Sequence, residues 1–413
     1  MKMKWRFIFF LSLFNLLADM SFTFFQGFSA PTIMRAAINF IFLLYAAKGL
    51  YTVKIRNYFY LFFAFVLIML IFSQTFIFSV RVTAQVIMSM GMFLVGYAVF
   101  KNIEEFSNLL NDLKPIIYVA LIATAIGYIF NIGRSLEYTV DKINKADAEN
   151  VGLLGSGGMY VPGIVLGLLP LLLRTHKRLI GKLMLIGAAS VLYLLILLNV
   201  RRTAILIPIM GLFGFFVYMP SKLKLRIFKY VFIVAIALLL AYPLYSKILN
   251  RRYKIRESSG RFEKGFYKTE PRYLEYFQMF DAIQNFDDPL KVLFGAGNNL
   301  FVDTNAYGIQ TTRMIHSDIP KIFYSLGLVG LFLYFLVYLS ILREIISIPA
   351  IGDLKDIKAA CLGLFFISIL VSLNGSITLF SFRALNFLLL GSFLGYSRRL
   401  MYSYGEFFAD QKA

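Results

Sequence analysis

The 413-residue sequence is poor in charge, since only 15% of its residues are Asp, Glu, Lys or Arg, against about 25% in soluble domains. Its hydrophobic fraction is 59%, and Phe alone occurs 44 times. The apolar residues gather in runs approaching the ~20 residues that a helix needs to cross a bilayer. The deficit of charge therefore excludes a series of soluble domains. It predicts a polytopic integral membrane protein whose spans satisfy their own backbone hydrogen bonds.

Cysteine and histidine are also scarce, with one Cys and two His in the chain. Cys361 lies inside an apolar run, which excludes a disulfide framework and a cysteine-based metal site. Acidic residues are outnumbered, 22 against 42 Lys and Arg, so the net charge is +20. Because the basic residues mostly lie in short segments between apolar runs, we interpret this charge as orienting helices, not as binding nucleic acid.

About twelve apolar runs are candidate transmembrane helices. They are Phe7 to Met20, Ile33 to Ala47, Tyr58 to Phe78, Thr83 to Phe100, Ile116 to Phe130, Met159 to Leu173, Leu183 to Asn199, Thr203 to Met219, Tyr230 to Tyr245, Ile319 to Ile341, Ala359 to Leu373 and Phe382 to Tyr396. The predicted fold is an all-α membrane domain with helices 1–9 over residues 1–245, a large loop over 246–318 and helices 10–12 over 319–413. The first run resembles a signal peptide, but no small-residue cleavage site follows, so we expect it to remain as a helix.

The distribution of basic residues predicts the orientation of the spans. Basic segments such as 174–182, 222–229 and 398–399 alternate with segments such as Ser21 to Pro31, which contains no Lys or Arg. This pattern places both termini in the cytoplasm and the large loop, 246–318, on the outer, periplasmic side. The loop is itself basic, which indicates an anionic ligand.

The large loop contains a predicted amphipathic helix. Thr269-Glu270-Pro271-Arg272 is typical of a helix start, and Asp287-Asp288-Pro289 ends the run. Between them, apolar side chains recur at helical spacing on one face, namely Tyr273, Tyr276, Phe277, Phe280 and Ile283. We expect this helix to lie at the membrane surface or over the bundle. Arg272 falls in its first turn, where the helix dipole disfavours a cation, so helix stability alone does not explain it.

His316 lies at the predicted outer interface, just before the tenth span. Asp318 or Ser317 can cap that helix and Pro320 fits its first turn, so these residues have a structural explanation. His316 has none, and a neutral imidazole there can act as a general base. The glycine turn Phe294 to Asn299 is either a tight connection or part of the same site.

The pair Arg201-Arg202 lies at the predicted outer turn between the seventh and eighth spans and has no acidic neighbour in sequence. Ionisable residues near lipid are functional by default. Snorkelling of the two side chains to headgroup phosphates is the alternative explanation.

Taken in order and on the same predicted face, these motifs resemble the O-antigen ligase and polymerase superfamily of bacterial glycan assembly. His316, Gly327 and Gly330 are similar to the family's His-Asn-x-aromatic and Gly-Leu-x-Gly signature, with Ser317 in place of Asn and Pro320 as a second departure. The family's Arg, aromatic and Pro-x-x-Gly-x-Gly elements are matched by Arg272, Tyr276, Pro289, Gly295 and Gly297. Arg202-Thr203 resembles its Ser-Arg-Thr element. The resemblance extends roughly over residues 183–338.

The resemblance implies a metal-independent, inverting glycosyltransferase of the bacterial inner membrane, with its active site on the periplasmic face and a polyprenyl-diphosphate-linked glycan as donor. It implies that Arg201, Arg202 and Arg272 bind the diphosphate, which suits a planar guanidinium, and that His316 and Arg272 are catalytic. Supporting roles are predicted for Ser317, Asp318, Arg261, Glu275, Gly295 and Gly297. No cofactor is expected, since Glu270, Glu275 and Asp318 are scattered or used for helix capping and so form no metal site.

Three functions remain open. We favour a polymerase, whose acceptor is another lipid-linked repeat unit; a ligase would transfer the glycan to lipid A-core or another acceptor. A lipid-linked glycan transporter is the alternative of a different class, but it predicts charges within the membrane, whereas the predicted span interiors contain almost no acids. The expected partners are the donor, the acceptor and membrane lipids, with a chain-length regulator as a further candidate and no nucleic acid.

Overall fold

The structure is a computed structural model. It describes residues 55–129, 154, 159–198, 202–221, 271–301 and 315–410, with short gaps inside these ranges, and isolated helical residues at 34, 37–41, 44, 224, 242–243, 246 and 250. Within this part of the chain, helices are the only regular secondary structure. The predicted spans Phe7 to Met20 and Tyr230 to Tyr245 lie outside the described residues, apart from a few positions in the second, and Ile33 to Ala47 is described only in part.

Twelve helices lie within the described residues. They are α1 (Ile55–Ile71), α2 (Phe76–Val99), α3 (Ile103–Ile129), α4 (Tyr160–Gly167), α5 (Leu169–Arg174), α6 (Leu179–Leu198), α7 (Arg202–Tyr218), α8 (Pro271–Asn285), α9 (Pro289–Phe294), α10 (Asp318–Ile346), α11 (Gly352–Asn374) and α12 (Phe380–Asp410).

Five of the described helices are long and apolar enough to cross a membrane. These segments are Ser79–Ala98, Phe106–Ile126, Leu179–Leu197, Asp318–Ile346 and Gly352–Leu373, and two shorter apolar helices cover Ile55–Ile71 and Thr203–Tyr218. The class predicted from composition, an all-α membrane protein, is confirmed at this level. The number of twelve spans, the division at residues 245 and 318, and the orientation stay predictions.

Two predicted spans are each divided in the structure, whereas others, such as Ala359 to Leu373 and Phe382 to Tyr396, lie within longer helices. The run Tyr58 to Phe78 contains the turn between α1 and α2, where the hydroxyls of Ser73 and Ser79 lie 2.7 Å apart. The run Met159 to Leu173 is interrupted at Leu168, because Pro170 lies in the first turn of α5 and has no N–H to continue α4. Hydropathy alone merges such neighbouring elements.

Small residues bring the central helices into close contact. A Cβ added to Gly391 or Gly395 of α12 would overlap the backbone of α2 at Phe93 and Tyr97, and Gly96 of α2 contacts α12 in the same way. Close backbone approach through small residues is how membrane helices gain packing energy without a hydrophobic driving force. Helices α2 and α12 are therefore closely packed; α11 packs against α12, and α10 packs against α1, α9 and α11.

One end of the bundle gathers segments that the charge pattern assigns to the cytoplasm. Lys358 Nζ donates to the carbonyls of Ile346 and Ile348, at 2.9 and 2.7 Å. Arg398 Nε donates to Glu344 Oε2 at 2.8 Å, which ties the end of α10 to α12. The first residues of α10 lie towards the other end, where the candidate site is found.

Candidate functional site at the start of α10

The structure describes the predicted site residues unequally. His316, Arg201, Arg261 and Gly297 lie outside the described residues. The backbone positions of two arginines are given: Arg202 is the first residue of α7 and Arg272 is the second residue of α8. The predicted place of Arg272 in a first helical turn is therefore correct. Glu275, Gly295, Ser317 and Asp318 are described in full.

Helix α8 confirms the amphipathic helix predicted in the large loop, but its apolar side chains do not share one face. Tyr276 and Ile283 pack, with the buried Met279, against a small core that includes Val292, Ile315, Phe323 and Tyr324. Tyr273, Phe277 and Phe280 are exposed instead. The reason is the 3.6-residue period, which places positions 276, 279 and 283 on one side and positions 273, 277 and 280 on the next.

Glu275 joins α8 to the start of α10. Its Oε2 accepts a hydrogen bond from the backbone N–H of Ser317 at 3.1 Å, although the two residues are 42 positions apart. The Tyr324 hydroxyl donates to the Glu275 carbonyl at 3.4 Å. Glu275 is buried, so its carboxylate takes the place of the glutamate that a capping box would supply from within the helix. The helix that begins with the Arg272 motif is thus bonded to the residue that follows His316 in sequence.

The capping roles expected at the start of α10 are wrong in detail. Ser317 occupies the N-cap position, with extended backbone, but its hydroxyl makes no capping hydrogen bond. Asp318 is the first helical residue, and its carboxylate forms an ion pair with Arg383 of α12. Both side chains of this pair are almost fully buried, at 0% and 2% exposure. An internal cation attracts the carboxylate more strongly than a helix N–H does, because the surroundings exclude water.

The ion pair belongs to a larger polar cluster. Tyr334 Oη donates to Asp318 Oδ2 at 3.3 Å and lies 2.8 Å from Ser372 Oγ on α11. Tyr338 Oη is 3.0 Å from both of these hydroxyl oxygens. Lys321, one turn after Asp318, is buried and interacts electrostatically with Asp318 and Glu275. We call Glu275, Asp318, Lys321 and Arg383 the buried charge cluster.

Helix α10 is broken at Gly327, whose φ of 65° and ψ of −165° are not helical. Asp318 and Tyr334 are 16 residues apart, which in a straight helix would separate their Cα atoms by about 24 Å, too far for their side chains to meet. The hydrogen bond between them therefore requires a sharp bend at Gly327. The stretch after the break, 328–346, is still about 28 Å long and can cross a membrane by itself.

The end of α9 packs against the break in α10. This contact brings together Gly295 and Gly327, which belong to separate glycine motifs. A Cβ on Gly327 would overlap the backbone of Leu293 and Phe294, and a Cβ on Gly295 would meet the backbone of Ser325 and Leu326. Gly295 also has a positive φ of 91°. Both positions therefore require glycine, so the turn at Gly295 is a tight connection that packs α9 against α10. Its part in the functional site stays a prediction.

Two further contacts hold this junction. Asp288 caps α9 by accepting from the backbone N–H of Lys291 at 3.3 Å, and hydrogen bonds from the Lys291 side chain and backbone lower the pKa of Asp288. The backbone N–H of the buried Phe301 donates to Ser325 Oγ at 2.9 Å. Phe301 has a φ of 62°, a strained value for a bulky residue that is held by its surroundings.

The second histidine of the chain lies apart from this site. His176 follows α5 on the basic segment predicted to be cytoplasmic. Burial lowers its pKa, and so do the positive charges of Lys114 and Lys182. Both effects favour the neutral imidazole, and a Cβ added at Gly181 would meet the ring at 2.8 Å.

Arg383, Lys321, Tyr334, Tyr338 and Ser372 were missed by the sequence analysis. Two of them carried a signal, because Lys321 and Arg383 are basic residues within apolar runs, and such residues are functional by default. The near absence of acids from the predicted span interiors did not reveal these two bases. The tyrosines and Ser372 resemble ordinary span residues, and only their contacts distinguish them.

The arrangement can hold the start of α10 rigidly between α8 and α12 and can bring the motifs around Arg272, Gly295 and Ser317 together. No protein-family model matches the chain, and no curated protein sequence matches it either.

Proposed function

We propose that the chain is a membrane glycosyltransferase that polymerises polyprenyl-diphosphate-linked oligosaccharide repeat units into O-antigen or capsular polysaccharide. The observation that carries the proposal is the meeting of separate motifs at one place. Glu275, one turn after Arg272, binds the backbone of Ser317, next to His316, and Gly295 packs on the break that begins at Gly327. Independent sequence motifs that converge in space support a single site.

The proposed reaction assigns roles to the motif residues. The acceptor hydroxyl oxygen attacks the anomeric carbon of the donor while His316 takes the hydroxyl proton. The bond between that carbon and the diphosphate oxygen breaks, and its electron pair leaves with the diphosphate. Arg201, Arg202 and Arg272 bind the departing diphosphate and stabilise its charge. Attack from the opposite face inverts the anomeric configuration.

A ligase uses the same donor chemistry and differs in its acceptor. In that case lipid A-core or another acceptor replaces the second lipid-linked repeat unit. We favour the polymerase because such enzymes diverge widely in sequence, as this chain does from the family signature.

A specific observation favours a second function of a different class. Buried charges within a helical bundle and a helix broken near them are both typical of transporters, and the buried charge cluster and Gly327 supply both features. A transporter of lipid-linked glycans would carry the donor across the bilayer without breaking its diphosphate bond.

Glycan profiles of a strain that lacks the gene separate these functions. A polymerase defect leaves single repeat units on the final acceptor, whereas a ligase defect leaves long lipid-linked polymer that never reaches it. A transporter defect leaves single repeat units on the lipid at the cytoplasmic face. If His316 is the base, complementation with His316→Ala at matched protein levels should give ~10²-fold less polymer, or less still, than complementation with the wild-type gene. Normal chains from this variant would contradict the assigned mechanism.

A further inference from the structure

Among the side chains that the structure describes, two ion pairs connect α10 to α12, and they differ in burial. Asp318 and Arg383 join the start of α10 to the first turn of α12, and both are enclosed. Glu344 and Arg398 join the other end of α10 to α12, with side chains 23% and 32% exposed. The first pair is extended by the hydroxyls of Tyr334, Tyr338 and Ser372 and lies beside the motif residues. In the second pair, Arg398 donates to one hydroxyl, that of Ser347, at 3.0 Å. Holding the two helices together does not by itself explain why the Asp318–Arg383 pair is buried and the Glu344–Arg398 pair is partly exposed.

The buried charge cluster is not suited to binding an anion. Among the described residues it contains two acids, Glu275 and Asp318, and two bases, Lys321 and Arg383. The charges therefore balance within the cluster and leave no excess positive charge for a diphosphate. Arg383 also directs its guanidinium at Asp318, so its best acceptor is already inside the protein.

Stability does not account for the ion pair. Replacing a buried ion pair by apolar residues of similar volume is often neutral or stabilising, because desolvation of both charges offsets their attraction. An ion pair fixes the orientation of the two side chains, because the carboxylate must meet the guanidinium. Apolar packing does not fix this orientation. At the start of α10 that direction is set twice, by Arg383 on Asp318 and by Glu275 on the Ser317 N–H.

We propose that Arg383, through Asp318, and Glu275, through Ser317, are positioning residues for the reaction centre. They fix the first residues of α10 between α12 and α8, so that the helix bearing Arg272 and the segment that follows His316 keep one relative geometry during turnover. The proposal rests on the proposed transferase function. It assigns no contact with substrate to Arg383 or Glu275.

The experiment compares three variants of the full-length protein in lipid. Arg383→Gln removes the cation that is paired with Asp318 and leaves an excess negative charge in the buried charge cluster, so it is expected to lose both stability and turnover. The double variant Asp318→Leu/Arg383→Met removes both charges of the pair and leaves Glu275 and Lys321 balanced, so its thermal stability should return to near the wild-type value. Its kcat should nevertheless stay about 100-fold low, with donor binding changed little, because a displacement of about 1 Å costs that much. Arg398→Gln, which opens the other tie between the same helices, is the matched control and should retain turnover.

Exchanging the charges gives a rescue test. Asp318→Arg/Arg383→Asp should recover part of the turnover lost in Arg383→Gln, because the direction of the contact is restored. Normal kcat in the double apolar variant would overturn the proposal while leaving the transferase function intact. Absence of glycan transfer by the wild-type protein would instead overturn the function.

Hydrogen exchange of the segment 315–322 tests the positioning role whatever reaction the protein catalyses. Exchange should accelerate in the double apolar variant, which lacks the directional contact, and should be unchanged in Arg398→Gln. Equal protection in the wild-type protein and the double variant would show that Arg383 does not fix the start of α10.

Discussion

Replacing Gly327 by Ala tests whether α10 is broken and whether α9 packs into the break. Two costs add at this position. The backbone adopts φ 65° and ψ −165°, a region that is essentially restricted to glycine, so a side chain there costs about 1–3 kcal/mol. A Cβ would also overlap the backbone of Leu293 and Phe294, and overpacking typically adds about 1–3 kcal/mol. The expected loss of stability is thus roughly 2–6 kcal/mol.

Two other glycines separate these costs. Gly352 has a positive φ of 46° but nothing within 4 Å of an added Cβ, so Gly352→Ala should lose only the backbone term, about 1–2 kcal/mol. Gly187 lies within α6 with open space around it, so Gly187→Ala should gain about 0.5–1 kcal/mol of helix propensity.

The assay is thermal stability of the purified proteins in one detergent, with glycan polymer formation measured alongside. The predicted order of melting temperatures is Gly187→Ala, at or above the wild-type protein, followed by Gly352→Ala and then Gly327→Ala. Only Gly327→Ala should also lose polymer. A melting temperature for Gly327→Ala equal to that of Gly352→Ala would refute the close packing of α9 on α10.

Three further predictions follow from the proposed site. In a Cys361→Ser background, a cysteine introduced at Asn305 should react with a membrane-impermeant reagent from the outer face; reaction only after the cytoplasmic face is opened would contradict the topology. Turnover of the purified protein should persist in EDTA, and a loss that Mg²⁺ or Mn²⁺ restores would show that the arginines do not suffice to bind the diphosphate. Arg272→Lys and Arg202→Lys should each lose most activity although the charge is kept, because lysine lacks the bidentate fork. The control Arg174→Lys, at the opposite end of the bundle, should keep its activity. Full activity of Arg272→Lys and Arg202→Lys would contradict their proposed role in binding the diphosphate.

The helical membrane class and most helix positions could be predicted from the sequence, because a helix that crosses a bilayer needs a long run of apolar residues. The amphipathic helix over Pro271–Asn285 was predictable for a related reason, since its periodicity and its flanking prolines are local signals. The 3.6-residue period separates its two apolar faces, but which face is covered could not be predicted, because that depends on the packing of Ile315 and Phe323 from another segment.

The break at Gly327 and the Asp318–Arg383 pair could not be predicted from local pattern. A glycine within a membrane span is common and tolerated, so the sequence around Gly327 is compatible with a straight helix. Asp318 next to a helix start favours capping, and only the position of Arg383, 65 residues later, changes its role. Long-range contacts of this kind leave no periodic signal in the chain.

In the proposed reaction, the protein breaks the bond between the donor sugar and its diphosphate and forms a glycosidic bond at the same site. The most direct measurement uses the purified protein in vesicles with a polyprenyl-diphosphate-linked repeat unit that is labelled in both the lipid and the sugar. Release of one polyprenyl diphosphate for each repeat unit joined to the chain is the predicted result, and it should disappear in His316→Ala. Movement of the intact labelled donor across the bilayer, with no polyprenyl diphosphate released, would contradict the account and identify the protein as a transporter.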